Sequence, residues 1–381
     1  KSIVDRIGGF NSRFDGAQDY DFILRCVEQT DRIRHIPKAL YHWRAHPDST
    51  AGNPQSKQYA VDAGRRALEE HYQRLNIPAA VENTDIFGIY RTVMKVQGNP
   101  MVSVIILNKD HIDDLEKCVT SIVEKTRYSD YEILVIENNS EHQETFDYYE
   151  ELQARCDRVR VLTWTDSFNY ASINNFGARH ARGDYLILLN NDIEVIAPGW
   201  MEEMLGYCQR RDVGIVGAKL FYPDDTIQHA GVVIGMGGIA GHILCRADGK
   251  EYGYNARLVT TQDISAVTAA CLMISREDFD SIGGFDERYT VAFNDIDLCL
   301  KVREQGKMVV FNPYVTLYHY ESKSRGLEDT PEKLERFRTE VEYFQQKWKD
   351  ILKNGDPYYN VNLTLADGDC SLKRHKELPG R

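Results

Sequence analysis

The stretch that decides the fold reads Tyr185-Leu-Ile-Leu-Leu-Asn-Asn-Asp192. Its first five residues are continuously apolar, which is typical of a strand that is buried on both faces of a parallel sheet. Amide and carboxylate side chains follow the apolar run directly. Ligands of open parallel sheets bind beyond the carboxyl ends of the strands, so this stretch predicts a polar site at the end of a central strand.

Similar apolar runs occur earlier in the chain and alternate with segments of helical periodicity. The predicted strands cover residues 102–107, 131–136, 159–162 and 185–189, and the predicted helices cover 113–124, 146–155 and 171–181. This alternation predicts an α/β fold with a Rossmann-like, mostly parallel sheet flanked by helices. Polar clusters follow three of the strands, at Asn108-Lys-Asp110, Glu137-Asn-Asn-Ser140 and Asn190-Asn-Asp192.

The chain contains an internal repeat. Ile7-Gly-Gly-Phe10 recurs as Ile282-Gly-Gly-Phe285. Two further matches follow in the same order: Gln18-Asp-Tyr-Asp21 with Asn294-Asp-Ile-Asp297, and Tyr41-His-Trp43 with Tyr318-His-Tyr320. The separation between the copies shifts by a single position from one match to the next. Because order and spacing are kept, residues 1–50 are interpreted as the back half of a domain whose full copy follows.

The repeat and the composition predict four segments. Residues 1–75 are a partial domain copy with a closing helix from 56 to 75, and 76–100, with two Pro and two Gly, form a linker. The main domain covers 101–353 and ends in an amphipathic helix over 331–352. Residues 354–381 are a C-terminal tail.

Charge and cysteine content exclude several classes of protein. The 381 residues include 46 Lys and Arg against 58 Asp and Glu, a net charge of −12, so a nucleic-acid binder is not expected. A phosphorylated ligand would need a metal ion or a few placed cations. None of the 8 Cys form a CxxC pair, which disfavours a zinc ribbon and suits reduced thiols in the cytoplasm.

The motifs, taken in order, resemble those of family 2 glycosyltransferases of the GT-A fold, particularly bacterial enzymes of surface-polysaccharide and rhamnan-type assembly. The resemblance extends from Val102 to Gly326 without a break in order, and residues 1–50 resemble the acceptor half of a second such domain. Beyond the strand ends it rests on Phe168 to Arg179, Pro198-Gly-Trp200, Gln228-His-Ala-Gly231, Ser265 to Cys271, Gly283-Gly-Phe-Asp286, Asn294-Asp-Ile-Asp297 and His319 to Gly326.

The resemblance implies an inverting, metal-dependent transfer of a hexosyl or rhamnosyl unit from a UDP- or dTDP-type donor. The acceptor would be a glycan or a lipid-linked glycan. The implied location is the cytoplasm, at the inner face of the plasma membrane. A short basic run, Lys373-Arg-His-Lys376, leaves a peripheral contact with anionic lipid open.

The resemblance also implies a metal site and a base. Asp192 and His319 would hold Mn²⁺ or Mg²⁺, while Asn190 replaces the first acid of the family's metal motif. The alternative for His319 is a ring that packs beside the two neighbouring tyrosines. From the residues alone, the Asn-Asn-Asp run is either a metal site or a solvated turn. Glu194 either assists the metal or only caps the next turn. Asp295 would be the general base, and its alternative is a helix-start acid favoured by the helix dipole.

The remaining assignments concern the two substrates. His229, His242 and Asp297 are candidates for the acceptor side. Asp297 is also the second candidate for the base, although the helix that begins here is expected to turn it to another side. The expected nucleotide-sugar ligands share amide, carboxylate or guanidinium groups, and they are Asn108, Glu137, Asn139, Asn169, Asn175, Asn191 and Arg325.

The sequence also bears on three other functions. A non-catalytic glycan-binding or scaffolding domain remains open, because Asn190 and Asn294 are neutral where the family often has acids. A nucleotidyltransferase is disfavoured because no Gly-rich phosphate loop follows the first strand. The loose GxGxxA pattern from Gly235 to Ala240 has no clear helix after it, which disfavours a nicotinamide cofactor.

Overall fold

The computed structural model describes residues 1–42, 58–321 and 330–374. The chain forms two compact units, Lys1–Lys95 and Val96–Arg381, hereafter unit 1 and unit 2. Arg325, Trp43 and the end of the basic run at 375–376 lie outside the described residues. Across the described ranges, no helix has the length and apolar character that crossing a membrane would require.

Unit 1 contains helices and a β-hairpin. Its elements are α1 (Ser2–Ile7), α2 (Gln18–Val27), α3 (Gln58–Arg74), β1 (Ala79–Asn83) and β2 (Tyr90–Met94). The two strands pair antiparallel, with Ala79 opposite Met94. Tyr90 Oη donates a hydrogen bond to Val61 O of α3 at 2.9 Å. The predicted linker over 76–100 is therefore wrong for most of its length, because the Pro and Gly residues lie around the hairpin and its turn.

The internal repeat reappears as a repeated local structure. Helices α1 and α2 occupy the positions that α8 (Arg276–Ser281) and α9 (Asn294–Glu304) occupy in unit 2. In unit 1, Arg25 Nη2 donates to Gly9 O at 2.9 Å. At the matching positions, Lys301 Nζ donates to Gly284 O at 2.6 Å. The two copies thus share a helix order and a cation that closes the Gly-Gly turn.

Unit 2 is built on a mixed sheet. The strands of unit 2, of which β10 and β11 pair only with each other in a separate sheet, are β3 (Val102–Asn108), β4 (Tyr131–Asn138), β5 (Val159–Trp164), β6 (Tyr185–Asn190), β7 (Ile193–Val195), β8 (Val213–Phe221), β9 (Ile227–His229), β10 (Val232–Ile234), β11 (Ala240–His242), β12 (Gln262–Ile264), β13 (Cys271–Ser275) and β14 (Met308–His319). Its remaining helices are α4 (Ile112–Lys125), α5 (Gln143–Arg155), α6 (Tyr170–His180), α7 (Trp200–Cys208), α10 (Pro331–Lys347) and α11 (Lys349–Asn354).

The central sheet has the order β12-β14-β8-β13-β6-β3-β4-β5, with β7 on β14 and β9 on β8. β3 pairs parallel with both β4 and β6, and β4 pairs parallel with β5. β13 is antiparallel to both of its neighbours. The predicted α/β fold with a mostly parallel sheet is confirmed, and each predicted strand and helix of 102–189 is present within a few residues.

The C-terminal segment is part of the core. Tyr359, Leu363 and Cys370 are buried, and Ile234 N donates to Asp356 Oδ2 at 2.8 Å. Residues 354–374 therefore pack onto unit 2 rather than forming a separate tail. The predicted helix over 331–352 is interrupted at Trp348, which separates α10 from α11.

Candidate active site

A cleft of about 770 Å³ lies at the carboxyl ends of β3, β4 and β6. These ends meet because the strands are parallel and in register, with Asn108 opposite Glu137 and Leu107 opposite Asn190. The segments 268–270 and 291–295 form further parts of the wall. The polar residues that line the cleft are Asn108, Lys109, Asn138, Asn139, Asn190, Asn191, Asp192, Gln228, His242, Thr268, Asn294, Asp295, His319, Glu321 and Arg336.

One end of the cleft is rich in amide side chains. Asn108 Nδ2 donates to Tyr149 Oη at 2.8 Å, and Asn108 Oδ1 accepts from Asn191 Nδ2 at 2.7 Å. Asn139 has a left-handed backbone (φ 57°), and its Nδ2 donates to Asp166 O at 2.8 Å. Three predicted nucleotide ligands, Asn108, Asn139 and Asn191, therefore lie together on the cleft wall.

Three other predicted nucleotide ligands do not line the cleft. Glu137 is buried, and its carboxylate accepts from Ser140 N at 2.6 Å and from Tyr149 Oη at 3.0 Å. Asn169 caps α6 by accepting from Ser172 N at 3.0 Å.

Asn175 is the third, and it braces the turn that follows α8. It accepts from Phe285 N at 2.9 Å and donates to Glu287 Oε1 at 2.9 Å. The structure corrects these three assignments, because strong local donors and acceptors already use the side chains. Such residues shape the loops around the cleft instead of facing it.

Asp192 and His319 meet in the cleft although they are far apart in the chain. The pairing of β14 with β7 places His319 opposite Ile193, next to the Asn-Asn-Asp motif. His319 Nε2 lies 3.2 Å from Asp192 Oδ1 and 3.2 Å from Asn190 Nδ2. Both members of the predicted metal pair are more than nine-tenths buried.

This pair fits a divalent cation only with help from other ligands. In the part of the chain that the structure describes, no group of three or more His, Cys, Asp or Glu could hold a metal ion. The buried Nδ1 of His319 has no hydrogen-bond partner among the described residues. Histidine with carboxylate suits Mn²⁺. Two protein ligands, plus oxygens of a diphosphate and water, would match a cation that is bound together with its substrate.

Glu194 is directed away from this pair. Its carboxylate accepts from Tyr320 Oη at 2.8 Å and pairs with Lys125 Nζ at 3.1 Å. Burial disfavours the charged form, but these two partners outweigh it and lower the pKa of Glu194 below its ordinary value. Glu194 therefore ties β7 to its neighbours instead of assisting a metal.

Asp295 lies in the first turn of α9 and lines the cleft. Its Oδ2 accepts from Ala269 N at 3.2 Å, and its Oδ1 accepts from Ile296 N at 2.9 Å. Two backbone N–H groups thus hold the carboxylate at the wall. Asp295 therefore lies where a ligand in the cleft could reach it, and its role as the base stays a prediction.

Asp297 does not reach the cleft. It is fully buried, and its Oδ1 accepts from Trp348 Nε1 at 2.8 Å and pairs with Lys347 Nζ at 2.7 Å. Burial raises the pKa of Asp297, against the opposing effect of Lys347. The acceptor-side assignment is wrong. Asp297 follows Asp295 by two residues on α9, and this rotation of about 200° places its side chain on the opposite face of the helix.

His229 and His242 form a pair whose Nδ1 atoms are 3.0 Å apart. One nitrogen must donate and the other accept, so at least the accepting ring is neutral in this arrangement. Burial lowers the pKa of His229 well below its ordinary value, with smaller effects of His242 and His319, and desolvation also lowers the pKa of His242. Only His242 lines the cleft, while His229 is buried behind it.

Several wall residues were missed from the sequence. Lys109 and Arg336 are the cations of the described wall, and Gln228, Thr268 and Glu321 add polar groups. Gln228 and Thr268 lie inside motifs of the resemblance, which was a usable signal. Arg336 lies on α10, where the helical stripe predicted only core packing, so no sequence signal marked it.

Comparison with known proteins agrees with this geometry. Residues 103–283 match the sequence pattern of the family described as glycosyl transferase family 2. The chain is 48% identical over 377 residues to the uncharacterized protein y4gI of Sinorhizobium fredii, covering 97% of this chain and 41% of that protein. It is 41% identical over 378 residues to the O-antigen biosynthesis protein RfbC of Myxococcus xanthus, covering 99% of this chain and 29% of that protein.

The chain therefore spans less than half the length of these two relatives. A solved structure of GalNAc-T7 with UDP, GalNAc and Mn²⁺ superposes with a TM-score of 0.53 at 17% identity, over 66% of this chain and 50% of that chain. At this identity the likeness concerns the fold alone.

The fold of unit 2 is similar to the GT-A fold of solved glycosyltransferases. The chain resembles glycosyltransferase family 2 through residues 103–283, which match the family's sequence pattern.

Proposed function

We propose that unit 2 transfers a sugar, with inversion, from a UDP- or dTDP-type donor to a hydroxyl group of a growing surface glycan or lipid-linked glycan. The observation that carries the proposal is that one cleft contains both the Asp295 carboxylate and the Asp192–His319 pair. The 41% identity to a protein named for O-antigen biosynthesis supports the choice of acceptor class.

In this proposal the amide-rich end of the cleft binds the nucleotide. Asn108 orients Asn191 through their 2.7 Å hydrogen bond, so the two amides present a defined donor and acceptor pattern to a base edge. Asn139 extends the same wall. The diphosphate would then lie near Asp192 and His319, at the end of β6.

Asp192 and His319 would hold Mn²⁺ or Mg²⁺ there. A bound divalent cation supplies charge neutralisation for the leaving diphosphate. Lys109 and Arg336 add positive charge to the wall of a chain whose net charge is −12. Metal dependence follows from this shortage of protein cations near the site.

Asp295 would act on the acceptor. Its carboxylate takes the proton of the attacking hydroxyl while the new C–O bond forms opposite the departing diphosphate. The hydrogen bonds from Ala269 N and Ile296 N fix the carboxylate without blocking its outward lone pairs. His242 and Glu321 lie on the same wall and are candidates for contacts with acceptor hydroxyls.

A transfer assay tests the proposal. Purified protein is incubated with a panel of nucleotide sugars and a glycan acceptor, with and without Mn²⁺. Asp295→Asn should abolish transfer while UDP binding persists, because only the base is removed. Asp280→Asn, an exposed carboxylate on α8, is the matched control and should retain activity. Full activity of Asp295→Asn would overturn the base assignment.

The alternative is a glycan-binding domain without transferase activity, which the neutral Asn190 beside His319 favours. It predicts that the protein binds a surface glycan but neither UDP nor dTDP in the presence of Mn²⁺. That result would remove the enzyme proposal.

We also propose that residues 1–42 are a second copy of the acceptor half of this fold. Phe10 is 69% exposed, whereas its counterpart Phe285 is 2% exposed. Leu40 is 68% exposed, whereas its counterpart Leu317, which precedes the repeated Tyr-His pair in unit 2, is fully buried. Residues 1–42 thus keep apolar side chains at positions that are buried in unit 2. In unit 2 a nucleotide-binding half covers these positions, and this correspondence supports a tandem transferase.

We place the reaction in the cytoplasm, at the inner face of the plasma membrane. All eight cysteines are free thiols, which suits a reducing compartment. Peripheral contact with lipid would rest on the basic residues near the C-terminus.

A further inference from the structure

The loop of residues 291–295, which carries Asp295, is hydrogen-bonded to helix α10 on the side away from the cleft. Val291 N donates to Glu340 Oε1 at 3.0 Å, and Ala292 N donates to Glu340 Oε2 at 3.0 Å. Glu340 lies on α10 and is only 2% exposed. Both carboxylate oxygens are therefore committed to two successive backbone N–H groups of the cleft wall.

The same helix supports an unfavourable backbone conformation in this loop. Phe293, two residues before Asp295, has φ 63°, in the left-handed region that is sterically unfavourable for a non-glycine residue. Its ring packs against Phe337 and Phe344 of α10, with centroid distances of 5.7 and 5.3 Å. Because such conformations persist only where the surroundings enforce them, α10 and the loop must be in place together.

A hydrogen bond within the loop, made by the side chain of Asn294, stabilises its other side. Asn294 Nδ2 donates to Val291 O at 2.8 Å, which ties the first turn of α9 to the residue that Glu340 binds. Asp297 N donates to Phe293 O at 2.8 Å and begins the helix. A displacement of residues 291 and 292 would therefore be transmitted to Asp295 through a short, rigid segment.

A second residue of α10 reaches the cleft itself. Arg336 lines the cleft, and its Nε lies 3.9 Å from Glu340 Oε2, one helical turn away. A single helix thus contacts both the ligand space and the back of the loop. Glu340 touches neither the cleft nor a reacting atom, since it is not part of the cleft wall.

We propose that Glu340 is a positioning residue, whose carboxylate sets the place of the Asp295 carboxylate by holding the backbone N–H groups of Val291 and Ala292. The inference rests on the proposed function, in which Asp295 is the base. The acceptor hydroxyl must meet that base within hydrogen-bond distance, and a misplacement of about 1 Å can cost 100-fold in rate.

The test is Glu340→Gln in the full chain. A glutamine of the same size offers one acceptor oxygen, and its NH₂ group faces the second backbone N–H, so one of the two bonds is lost. We expect kcat to fall about 10- to 100-fold, while the KM of the donor and the Kd of UDP with Mn²⁺ stay within about twofold. Glu340→Asp keeps two oxygens and should retain more kcat than Glu340→Gln.

The matched control is Glu342→Gln. Glu342 is on the same helix, is 68% exposed and pairs with Arg338 at 3.5 Å, so kcat should be unchanged. The folded fraction of each variant is measured by circular dichroism at the assay temperature, and kcat is expressed per folded molecule.

Two results would overturn the positioning role. One is a wild-type kcat for Glu340→Gln, and the other is a parallel loss of kcat and UDP affinity, which would indicate general loosening of the cleft. Both results can be distinguished from a failure of the proposed function. That failure would appear as full activity of Asp295→Asn, independently of the kcat measured for Glu340→Gln.

Discussion

Replacement of Lys347 by Met should destabilise unit 2 strongly. Lys347 Nζ lies 2.7 Å from Asp297 Oδ1 and 2.9 Å from Asp286 Oδ2. Asp286 keeps Arg288 as a partner, whereas Asp297 would keep the Trp348 Nε1 hydrogen bond and the weaker charge effect of Lys301. The perturbation thus leaves one fully buried carboxylate without its cation.

Removal of one partner of a buried ion pair typically costs about 3–5 kcal/mol. The Lys347 side chain is 24% exposed, so water already weakens its attraction to Asp297, and we expect about 3 kcal/mol. Double replacement, Lys347→Met with Asp297→Asn, should recover most of this loss, because no buried charge then remains.

The loss should depend on pH. Burial raises the pKa of Asp297 in the native protein, and without Lys347 it should rise further. The folded variant then binds a proton that the unfolded chain does not bind. Its stability should therefore increase as the pH falls from 8 to 5, by at most about 1.4 kcal/mol per pH unit.

Denaturant titrations at pH 8 and pH 5, followed by near-UV circular dichroism, measure these differences. Lys349→Met, an exposed lysine at the start of α11, is the control and should stay within about 0.5 kcal/mol of wild type. A Lys347→Met variant within about 1 kcal/mol of wild type at pH 8, or a double variant that is no more stable than it, would refute the reasoning.

Three further predictions concern other parts of the chain. Burial lowers the pKa of Lys219 to about 8, from an ordinary 10.5. The free energy of unfolding of wild type, relative to Lys219→Met, should therefore rise from pH 8 to 10 in chemical denaturation, because the unfolded chain keeps a proton that the folded chain releases; a flat difference would contradict this. Phe285→Ser should cost about 3–5 kcal/mol of stability, whereas Phe10→Ser at the matching position of the repeat should cost under about 0.5 kcal/mol by the same assay; equal costs would show that Phe10 is covered. Asp192→Ala or His319→Ala should raise the Mn²⁺ concentration needed for half-maximal UDP binding at least about tenfold in calorimetric titration; an unchanged Mn²⁺ requirement would remove the pair from the metal site.

Local sequence was enough for the framework of unit 2 and for part of its site. Apolar runs followed by amides predicted β3, β4 and β6, and their parallel register brings Asn108, Asn139 and Asn191 to one wall. Residue type alone could not separate these amides from Asn169 and Asn175. Those two were misassigned because a helix cap and a turn use their side chains, which depends on packing that no local pattern records.

The sequence by itself determined the alternation of strands and helices, the internal repeat and the polar strand ends, since these depend on neighbours within a few residues. Only the tertiary structure decided what each carboxylate of Asn294-Asp-Ile-Asp297 contacts, because α9 turns Asp295 toward Ala269 and buries Asp297 against Lys347. It also decided that α10 reaches the cleft. Such contacts join residues that are far apart in the chain, and they follow from the strand order and the docking of whole helices.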